Sequence, residues 1–389
     1  MESIDIVIIG AGVVGAAISH DLVQSGYQAI VLERARIPAS AASGSNAGIL
    51  ASGFNRAHDM LETRLMRSGA RRWPEVCERL RIPYKKTGAL VLAQTSQDVQ
   101  RFPSIIDNAT NSGIVVEALD SGHLRSREPG ARGCAALLVA EEGITDPFEV
   151  TRRLLGCVPV HYEARVTAVE QRGADTAIVR VGTAIIAARV VINCAGLYGD
   201  EVAADGTFSI TPRRGDFVVY APTAPPKLEH ILRPIDPAGG VLVFPTMYGY
   251  LCAGPSSVEQ SDKEEYQPRA LRDVREQAAR LLPILSAMQP VDAWAGLRPA
   301  GSPHDTIIGW SPRVSAMLNV GAIRGTGLSS CLGISEYVLQ MLAQRDIRPR
   351  GRQLACPESN FDAPRPWWER QASERQMHAR TSGGAAQIE

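Results

Sequence analysis

Three glycines and one acid have the types and the spacing that binding of a dinucleotide requires. Gly10, Gly12 and Gly15 lie between an apolar run and a helical pattern, and Glu33 closes the next apolar run, 33 − 12 = 21 positions after Gly12. The first glycine permits a tight turn, the second lets the backbone approach a pyrophosphate, and the third lets helix and strand pack closely. Free N–H groups at the helix start attract phosphate oxygens. A carboxylate at Glu33 accepts hydrogen bonds from ribose hydroxyls and repels a 2′-phosphate, so the sequence predicts a dinucleotide other than NADP.

Small side chains recur in three further stretches. The loop at 38–53 consists mostly of glycine, alanine and serine, the apolar run at 190–193 continues into Cys194-Ala195-Gly196, and a glycine-rich turn at 321–327 precedes a helical pattern. Glycine beside a strand often marks the close approach of a ligand or of another backbone. These stretches are therefore candidates for the remaining walls of a cofactor site.

Composition restricts the ligands and partners. The 389 residues carry 41 basic and 41 acidic side chains, so the formal net charge is zero and provides no long-range field for nucleic acid. The seven cysteines contain no CxxC pair, and no histidine pair has the spacing of metal ligands. We therefore expect neither a metal site nor a nucleic-acid partner.

The expected location is the cytoplasm, because an odd and dispersed set of cysteines suits reduced thiols. No run approaches about 18 apolar residues, so no transmembrane segment is expected. The pair Trp367-Trp368 leaves peripheral attachment at a membrane open, although such a pair more often packs on its own domain. A homo-oligomer or a partner subunit is also left open.

Hydrophobic periodicity predicts the elements that must position these residues. The predicted helices run to about residue 25, over 59–80, over 147–155, from 268 and over 328–343. The predicted strands are 4–9, 29–32, 88–93, 166–169, 177–181, 190–196, 217–220, 240–244, 250–253 and 317–320. Short β-type runs between prolines and glycines favour an antiparallel unit over 207–297. Residues 376–389 are expected to be disordered.

Four segments carry a resemblance to the FAD-dependent D-amino acid oxidase superfamily, over about residues 1–345. They are 10–33, 44–48, 294–299 with 307–309, and 325–328. The chain resembles the glycine oxidase and D-amino acid dehydrogenase branches, and also the glycerol-3-phosphate and 2-hydroxyglutarate dehydrogenase branches. The resemblance implies FAD as the cofactor.

The resemblance also implies an α/β fold. A Rossmann-like FAD-binding domain of 1–53, 145–206 and 298–345 would be interleaved with a substrate domain of 54–144 and 207–297. The substrate domain would contain a mixed, largely antiparallel β-sheet. Residues 346–389 would form a partly disordered C-terminal tail.

Residues that match the family's cofactor motifs are implied to contact FAD. The ADP half would lie on Gly10, Gly12, Val14, Gly15, Glu33 and Arg34, with the adenine at the backbone of Val166. The pyrophosphate and flavin would lie along Ser43, Ser45, Asn46, Ala47 and Gly48, and a second backbone approach would come from Cys194, Ala195 and Gly196. N–H groups near the flavin pyrimidine, which favour the anionic reduced flavin, would come from Gly325, Gly327 and Leu328.

By the same resemblance, Arg298 in the Trp-Ala-Gly-Leu-Arg-Pro motif grips the carboxylate of the substrate. A guanidinium holds a carboxylate with two parallel hydrogen bonds, which would fix the reacting C–H over the flavin. The alternative is an arginine that pins two chain segments together. Arg324 would bind the far end of the substrate or cap a turn, while Arg214 and Tyr248 are weaker candidates on strands expected to roof the pocket.

One departure from the family bears on the reaction. The glycerol-3-phosphate and 2-hydroxyglutarate relatives carry a histidine three positions after the glycine that matches Gly48, where this chain has Ala51. Oxidation of an alcohol needs a base, whereas an amine can lose its proton to solvent beforehand. The departure therefore favours an amine. His304 lies in a segment that resembles the glycerol-phosphate branch and therefore favours an alcohol. A histidine in such a segment is, however, more commonly part of a surface loop.

The sequence thus predicts an FAD-dependent oxidoreductase that takes a hydride from a small amino or imino acid. One alternative is a flavin dehydrogenase of a 2-hydroxy acid or polyol phosphate. Another is a flavin subunit of a multi-subunit electron-transfer complex. Oxygen, a quinone or a redox partner would reoxidise the flavin.

Overall fold

The computed structural model describes residues 4–173, 175–222, 227–235, 240–351, 366 and 368–369. Within them the strands, in chain order, are β1 (Ile4–Ile9), β2 (Ala29–Leu32), β3 (Ile49–Leu50), β4 (Tyr84–Lys85), β5 (Ala89–Ala93), β6 (Glu117–Asp120), β7 (Ala135–Val139), β8 (Gly143–Thr145), β9 (Val160–His161), β10 (Val166–Gln171), β11 (Ala177–Val181), β12 (Ala184–Asn193), β13 (Ser209–Tyr220), β14 (Ile231–Pro234), β15 (Leu242–Pro245), β16 (Leu251–Gly254), β17 (Val258–Glu259), β18 (Pro290–Ser302), β19 (Ile307–Trp310) and β20 (Met317–Gly321).

The helices connect and cover these strands. In chain order they are α1 (Val13–Gln24), α2 (Leu61–Arg79), α3 (Ser96–Val99), α4 (Phe102–Asn111), α5 (Ser121–Arg127), α6 (Pro147–Leu154), α7 (Gly199–Ala203), α8 (Leu271–Leu281) and α9 (Gly327–Gln344). Among the described residues, no helix combines the length and the hydrophobicity that a membrane crossing requires.

An eight-stranded sheet, which we call the parallel sheet, carries the N-terminal glycines. Its central strands β20, β12, β1, β2 and β9 are parallel neighbours in that order, while β10, β11 and β19 join it antiparallel. Ile6, Val7 and Ile8 of β1 are fully buried, as a strand covered on both faces must be. Since the parallel strands all run the same way, the residues that follow them meet at one edge of the sheet.

Helices α1, α2 and α9 pack together beside the parallel sheet. Two glycines allow α2 and α9 to cross closely: a Cβ added at Gly333 would lie 2.1 Å from the Leu65 carbonyl oxygen, and one at Gly69 would lie 2.6 Å from the Ser329 carbonyl oxygen. This crossing fixes the start of α2 beside the start of α9, which matters for the site described below.

A nine-stranded sheet, which we call the antiparallel sheet, forms a separate layer with the order β17-β13-β16-β15-β14-β5-β7-β6, and β18 pairs with β13. Only β14 and β5 pair in parallel among these neighbours. The α/β fold with a mixed, largely antiparallel second sheet is therefore confirmed. The antiparallel pair β13–β18 extends from Ser209 opposite Ser302 to Tyr220 opposite Pro290, with Arg213 opposite Arg298.

The long helices and several short strands, such as β2 and β11, were predicted well, whereas other short elements were not predicted. The helix predicted over 59–80 is observed as α2, and the one predicted over 328–343 is observed as α9. The polar region before residue 132 contains α3, α4, β6 and α5, which the sequence patterns did not indicate. The predicted domain boundary at 298 falls inside β18, which pairs with β13 over its whole length. The predicted disorder of 376–389 lies outside the described residues.

Candidate active site

A cavity of about 1550 Å³ lies where the parallel strands end, and residues of both large sheets line it. The cavity is larger than the roughly 300–1,000 Å³ of a usual small-molecule pocket. Residues that directly follow β1, β2 and β12 form one wall, namely Gly10, Glu33 and Cys194. Ligands of open α/β sheets bind at this edge, outside the carboxyl ends of the strands.

At two glycines around the turn after β1 there is no room for a side chain. Gly10 has a φ of +107°, and a Cβ there would lie 2.5 Å from the carbonyl oxygen of Cys194. A Cβ at Gly15 would lie only 2.1 Å from the carbonyl oxygen of Gly10. Gly15 does not line the cavity but sets how closely α1 approaches the turn, which is the role that the sequence predicts for the third glycine.

The start of α1 faces the cavity without a side-chain cap. Gly12 is the residue before the first helical turn and makes no capping hydrogen bond. The backbone N–H of Val13 donates to Ser43 Oγ over 2.9 Å, so the loop at 38–53 is fixed against the helix start. A Cβ on Gly12 would approach Ser43 Oγ to 3.0 Å. Val14 lines the cavity beside them. This arrangement leaves the positive end of the helix dipole facing the cavity.

The Glu33 carboxylate is fixed at the cavity wall and is 8% exposed. Its Oε2 accepts the Ala11 N–H over 2.7 Å, and its Oε1 accepts the Ala35 N–H over 2.9 Å. Each carboxylate oxygen has a second lone pair, so both can still accept hydrogen bonds from ribose hydroxyls. The geometry is that of a positioned acceptor for a ribose.

The next part of the wall has an aromatic and cationic character. The Arg34 guanidinium lies 4.0 Å from the ring centroid of Tyr198 and 3.1 Å from Glu264 Oε1. The Tyr198 hydroxyl donates to the same carboxylate oxygen, and burial is the main cause that raises the pKa of this tyrosine. Arg34, Tyr198 and Val166 all line the cavity. Sequence reasoning missed Tyr198, because an isolated aromatic residue in a short helical turn carries no motif.

The small-residue loop lies against strand β18. The Trp294 indole N–H donates to the carbonyl oxygen of Ser45 over 3.0 Å, and a Cβ on Gly296 would lie 2.5 Å from Ser45 Oγ. Ser45, Asn46 and Ala47 line the cavity, whereas Gly48 lies behind them with a φ of +75°. The loop therefore presents its backbone and small side chains to a ligand.

The turn before α9 forms the opposite wall. Gly325 has a φ of +109°, and a Cβ there would lie 2.8 Å from Cδ of Arg298. The Thr326 hydroxyl donates to Glu62 Oε1 over 2.8 Å, so it does not cap its own helix. Gly325, Gly327 and Leu328 line the cavity, as do Ala195 and Gly196 beyond β12. The α9 start is thus a second helix N-terminus that faces the cavity.

Arg298 lines the cavity and has no carboxylate partner within salt-bridge distance among the described residues. Its Nη2 donates to the carbonyl oxygen of Ser256 over 2.8 Å, with longer contacts to the Arg214 carbonyl oxygen and Ser257 Oγ at 3.4 Å. Burial, followed by the positive charges of Arg213 and Arg56, lowers the pKa of Arg298 to about 10. The guanidinium stays charged at neutral pH, and an anion beside it would relieve an uncompensated charge.

Arg324 and Arg56 line the same cavity on either side of a buried acid. Arg324 Nη2 lies 3.8 Å, and Arg56 Nε 4.0 Å, from Glu62 Oε2. Burial lowers the pKa of Arg324, and the Glu62 carboxylate opposes that shift. Sequence reasoning missed Arg56 and Glu62. Their only signal was their position after the small-residue loop, at the predicted start of a helix.

Three candidates lie outside the cavity lining. The Tyr248 hydroxyl donates to Asp146, and its ring packs edge-on to Trp368 with centroids 6.1 Å apart. Arg214 is buried in an ion pair with Asp216 at 3.1 Å. His304 is exposed in the loop before β19, and its neighbour Asp305 accepts the N–H groups that begin α2. We therefore leave Tyr248, Arg214 and His304 out of the proposed site.

No histidine side chain lines the cavity among the residues that the structure describes. Ala51 does line it, and the Ala51 N–H donates to Ser329 Oγ over 2.9 Å. At this position, where the glycerol-3-phosphate and 2-hydroxyglutarate relatives carry a histidine, the chain therefore presents only a methyl group to the cavity. The hydrogen bond of the Ala51 N–H fixes the backbone there.

Known proteins share both the sequence pattern and the fold. A glycerol 3-phosphate dehydrogenase of Caloramator mitchellensis is 26% identical over 353 residues, which cover 87% of this chain and 73% of that protein. The structure of a reduced, FAD-bound L-alpha-glycerophosphate oxidase from Mycoplasma pneumoniae superposes with a TM-score of 0.85 at 20% identity, over 94% of this chain and all of that chain (100%). A glycine oxidase from Geobacillus kaustophilus superposes with a TM-score of 0.80 at 18% identity, over 93% of this chain and 100% of that chain.

The family assignment rests on nearly the whole length of the chain. The sequence model of one family, described as FAD dependent oxidoreductase, matches residues 5–341. The two helix N-termini, the ribose acceptor and the glycine turns described above fit the phosphates and sugar of FAD, and the cavity volume leaves room for a substrate beside it. The chain belongs to the family of FAD-dependent oxidoreductases, and FAD is its cofactor.

Proposed function

We propose that the protein oxidises a small amino or imino acid whose carboxylate binds Arg298. The observation that carries the proposal is a cavity-lining guanidinium beside the Gly325 turn, whose hydrogen-bond partners among the described residues are carbonyl and hydroxyl oxygens. When bound, FAD supplies the acceptor for a hydride, which carries two electrons and one proton.

Arg298 is suited to orienting a carboxylate. Its stem is clamped between the Gly325 turn and the strand pair β13–β18, and the Ser256 carbonyl oxygen fixes one nitrogen. A fixed fork forms two parallel hydrogen bonds to a carboxylate with little further loss of side-chain entropy. The grip would set the direction of the bond from the carboxyl carbon to the reacting carbon, and this orientation lowers the barrier to transfer.

Residues that would hold FAD divide into two groups. Gly10, Gly12 and Glu33 would hold the ADP half at the start of α1. The loop residues Ser45 to Ala47 and the start of α9 would enclose the flavin. N–H groups and the positive dipole end of α9 would stabilise negative charge that develops near them.

The cavity wall supports an amine rather than an alcohol as donor. An alcohol must lose its hydroxyl proton as the hydride leaves, and a histidine is the usual base. Ala51 supplies only a methyl group at the wall, and no described histidine lines the cavity. An amine needs no such base, because it can lose a proton to solvent before it reacts.

A second candidate is the oxidation of a hydroxy acid or polyol phosphate. The sequence relative and the structural neighbour that act on glycerol phosphates favour it. This function would require a base other than histidine among the described cavity residues. The electron acceptor, whether oxygen, a quinone or a redox partner, stays a prediction for both candidates.

Anaerobic flavin bleaching distinguishes the two candidates. The holoenzyme would be mixed with matched pairs of one carbon skeleton: alanine with lactate, aspartate with malate, and glutamate with 2-hydroxyglutarate. Glycine, proline and glycerol 3-phosphate complete the panel. We expect an amino or imino acid to reduce the flavin fastest. Faster reduction by a hydroxy acid or by glycerol 3-phosphate would overturn the proposal and favour the second candidate.

A further inference from the structure

The charges around Glu62 on the cavity wall are only partly paired among the described residues. Glu62 is 2% exposed, and its Oε1 accepts the Thr326 hydroxyl. Its Oε2 is buried and receives no hydrogen bond from any described residue. The guanidinium nitrogens of Arg324 and Arg56 stand 3.8 and 4.0 Å away, beyond the roughly 2.7–3.2 Å of an N–H···O hydrogen bond. Glu62 therefore attracts both guanidiniums without using their donors.

Nearby carboxylates neutralise the cluster only in part. Asp216, which faces Arg298, is paired with Arg214 and also accepts the Ser256 hydroxyl and the Ala270 N–H. Asp305, which faces Arg324, accepts the two N–H groups that begin α2; these are neutral, so its negative charge still acts on Arg324.

The remaining charges do not cancel. Among the described residues, the guanidiniums of Arg56, Arg298, Arg324 and Arg213 face two carboxylates, those of Glu62 and Asp305. About two positive charges are therefore left uncompensated.

We infer that the substrate carries a second carboxylate, which binds between Arg324 and Arg56 while the first binds Arg298. The inference rests on the proposed function only for the assignment of the first carboxylate to Arg298. A dicarboxylate would match the excess of about two positive charges, whereas a monocarboxylate would leave about one of them without a counterion.

Glu62 has a positioning function in this arrangement. Its own charge holds Arg324 and Arg56 at the wall, and its bond to Thr326 links them to the turn before α9. Because Asp305 fixes the first turn of α2, the Glu62 backbone cannot shift freely. Neither guanidinium donates a hydrogen bond to an acceptor among the described residues, so the donors of both arginines would be available to a ligand in the cavity.

Titration with unreactive acids tests the inference on the FAD-loaded protein. Succinate and glutarate would be compared with butyrate and pentanoate, which have the same chain lengths but one carboxylate, by the change in flavin absorbance. We expect each dicarboxylate to bind about 10- to 100-fold more tightly than its partner. Inorganic phosphate is the fifth probe. If phosphate binds more tightly than succinate, the inference of a second carboxylate is wrong and a phosphate group is favoured instead.

Variants locate the effect. Arg324→Gln should reduce the preference for dicarboxylates to within about threefold while leaving butyrate affinity unchanged, and Arg56→Gln should do the same if Arg324→Gln does not fold. Glu62→Gln removes the charge that holds Arg324 and Arg56 but keeps an acceptor for Thr326, so it should also reduce the preference for dicarboxylates. Arg127→Gln is the matched control. It also removes one positive charge, but Arg127 lies on α5 outside the cavity, so the affinities for all the acids should stay unchanged.

Equal weakening of succinate and butyrate by both arginine variants would overturn the inference, as would equal wild-type affinities for the two acids. These acids carry neither an amino nor a hydroxyl group. The titration therefore does not depend on whether the substrate is an amine or an alcohol. If the amine proposal fails, the result of the titration still holds.

Discussion

The two ends of the cavity are built by different means. At the nucleotide end, backbone atoms are in contact: the Gly15 position lies 2.1 Å from the Gly10 carbonyl oxygen when a Cβ is added, and Glu33 is fixed by two N–H groups. At the substrate end, long side chains from distant segments converge with their charges only partly compensated, as at Arg298 and Arg324. At the nucleotide end, a Cβ added at Gly10 or Gly15 would overlap backbone atoms. At the substrate end, the charges of long side chains determine which ligand binds.

This difference separates what is common to the fold from what is particular to the chain. A backbone cradle recognises phosphate and ribose, which every FAD carries, so its geometry has little freedom. A cluster of guanidiniums recognises the number and spacing of anionic groups, which vary with substrate. Substitutions at the first end should therefore remove the cofactor, and those at the second should change substrate use with the cofactor in place.

The largest expected effect is that of Gly15→Ala. The new Cβ would overlap the Gly10 carbonyl oxygen and lie 3.3 Å from Ile8 Cγ2, so α1 must move away from the turn that it supports. We expect the purified variant to retain less than about a tenth of the wild-type FAD, since separation of helix and strand disrupts the phosphate site. The ratio of flavin to protein absorbance measures this. Gly309→Ala is the control, because a Cβ at Gly309 meets no atom within 4 Å. Full FAD content in Gly15→Ala would contradict the steric argument.

A smaller effect is expected for Arg298→Ala. Loss of a charge-assisted contact costs roughly 1.5–3 kcal/mol, or a roughly 10- to 150-fold decrease in kcat/KM, while FAD content stays at the wild-type level. Arg298→Lys should recover part of the loss, because an ammonium keeps the charge but not the two parallel hydrogen bonds. Steady-state kinetics with the best substrate of the bleaching panel provides the measurement. An unchanged kcat/KM in Arg298→Ala would show that this arginine only pins strands together.

The same contrast explains how much the sequence could predict. The spacing of Gly10, Gly12, Gly15 and Glu33 encodes the nucleotide end, because neighbours in sequence are neighbours in space there. This pattern predicted a dinucleotide, and the family resemblance carried by the motifs implied the α/β class and FAD, which are confirmed.

The substrate end could not be predicted in the same way. Arg56 and Glu62 meet Arg324 only because α2 and α9 cross closely, and no local pattern encodes that crossing. Tyr248 was predicted to roof the pocket, but the register of β15 and β16 places the intervening turn so that its hydroxyl bonds to Asp146.

A modest effect is expected at Trp368, which supports the loop between the two ends. Its ring stacks on Trp294 with centroids 5.8 Å apart, and Trp294 in turn stacks on Phe217 and donates to the Ser45 carbonyl oxygen. Trp367 lies outside the described residues, but Trp368 is 4% exposed, which agrees with a pair that packs on its own domain. Trp368→Leu loses an aromatic pair worth roughly 0.5–1.5 kcal/mol.

We therefore expect FAD to bind about 2- to 12-fold more weakly to reconstituted Trp368→Leu apoprotein. Trp310→Leu also removes an aromatic contact, with Arg345, but does not line the cavity and should leave FAD affinity unchanged. Equal FAD affinities of the wild type and Trp368→Leu would show that Trp368 does not support the FAD-binding loop.

The smallest expected effect is a change in the shape of the pH profile. With an amino acid substrate, kcat/KM should rise as the ammonium group loses its proton, with no step near about 6.5, because no described histidine lines the cavity. Ala51→His places an imidazole at the wall without disturbing the bond from the Ala51 N–H to Ser329. The pH profile of the variant should acquire a step at about pH 6.5. Above that pH, kcat/KM should differ from the wild-type value by less than about fivefold, since the amine needs no base. Ala51→Gln has similar bulk without titration and should show no step. A step near about 6.5 in the wild-type profile would mean that a histidine already acts as a base, and the substrate end would then be equipped to oxidise a hydroxy acid.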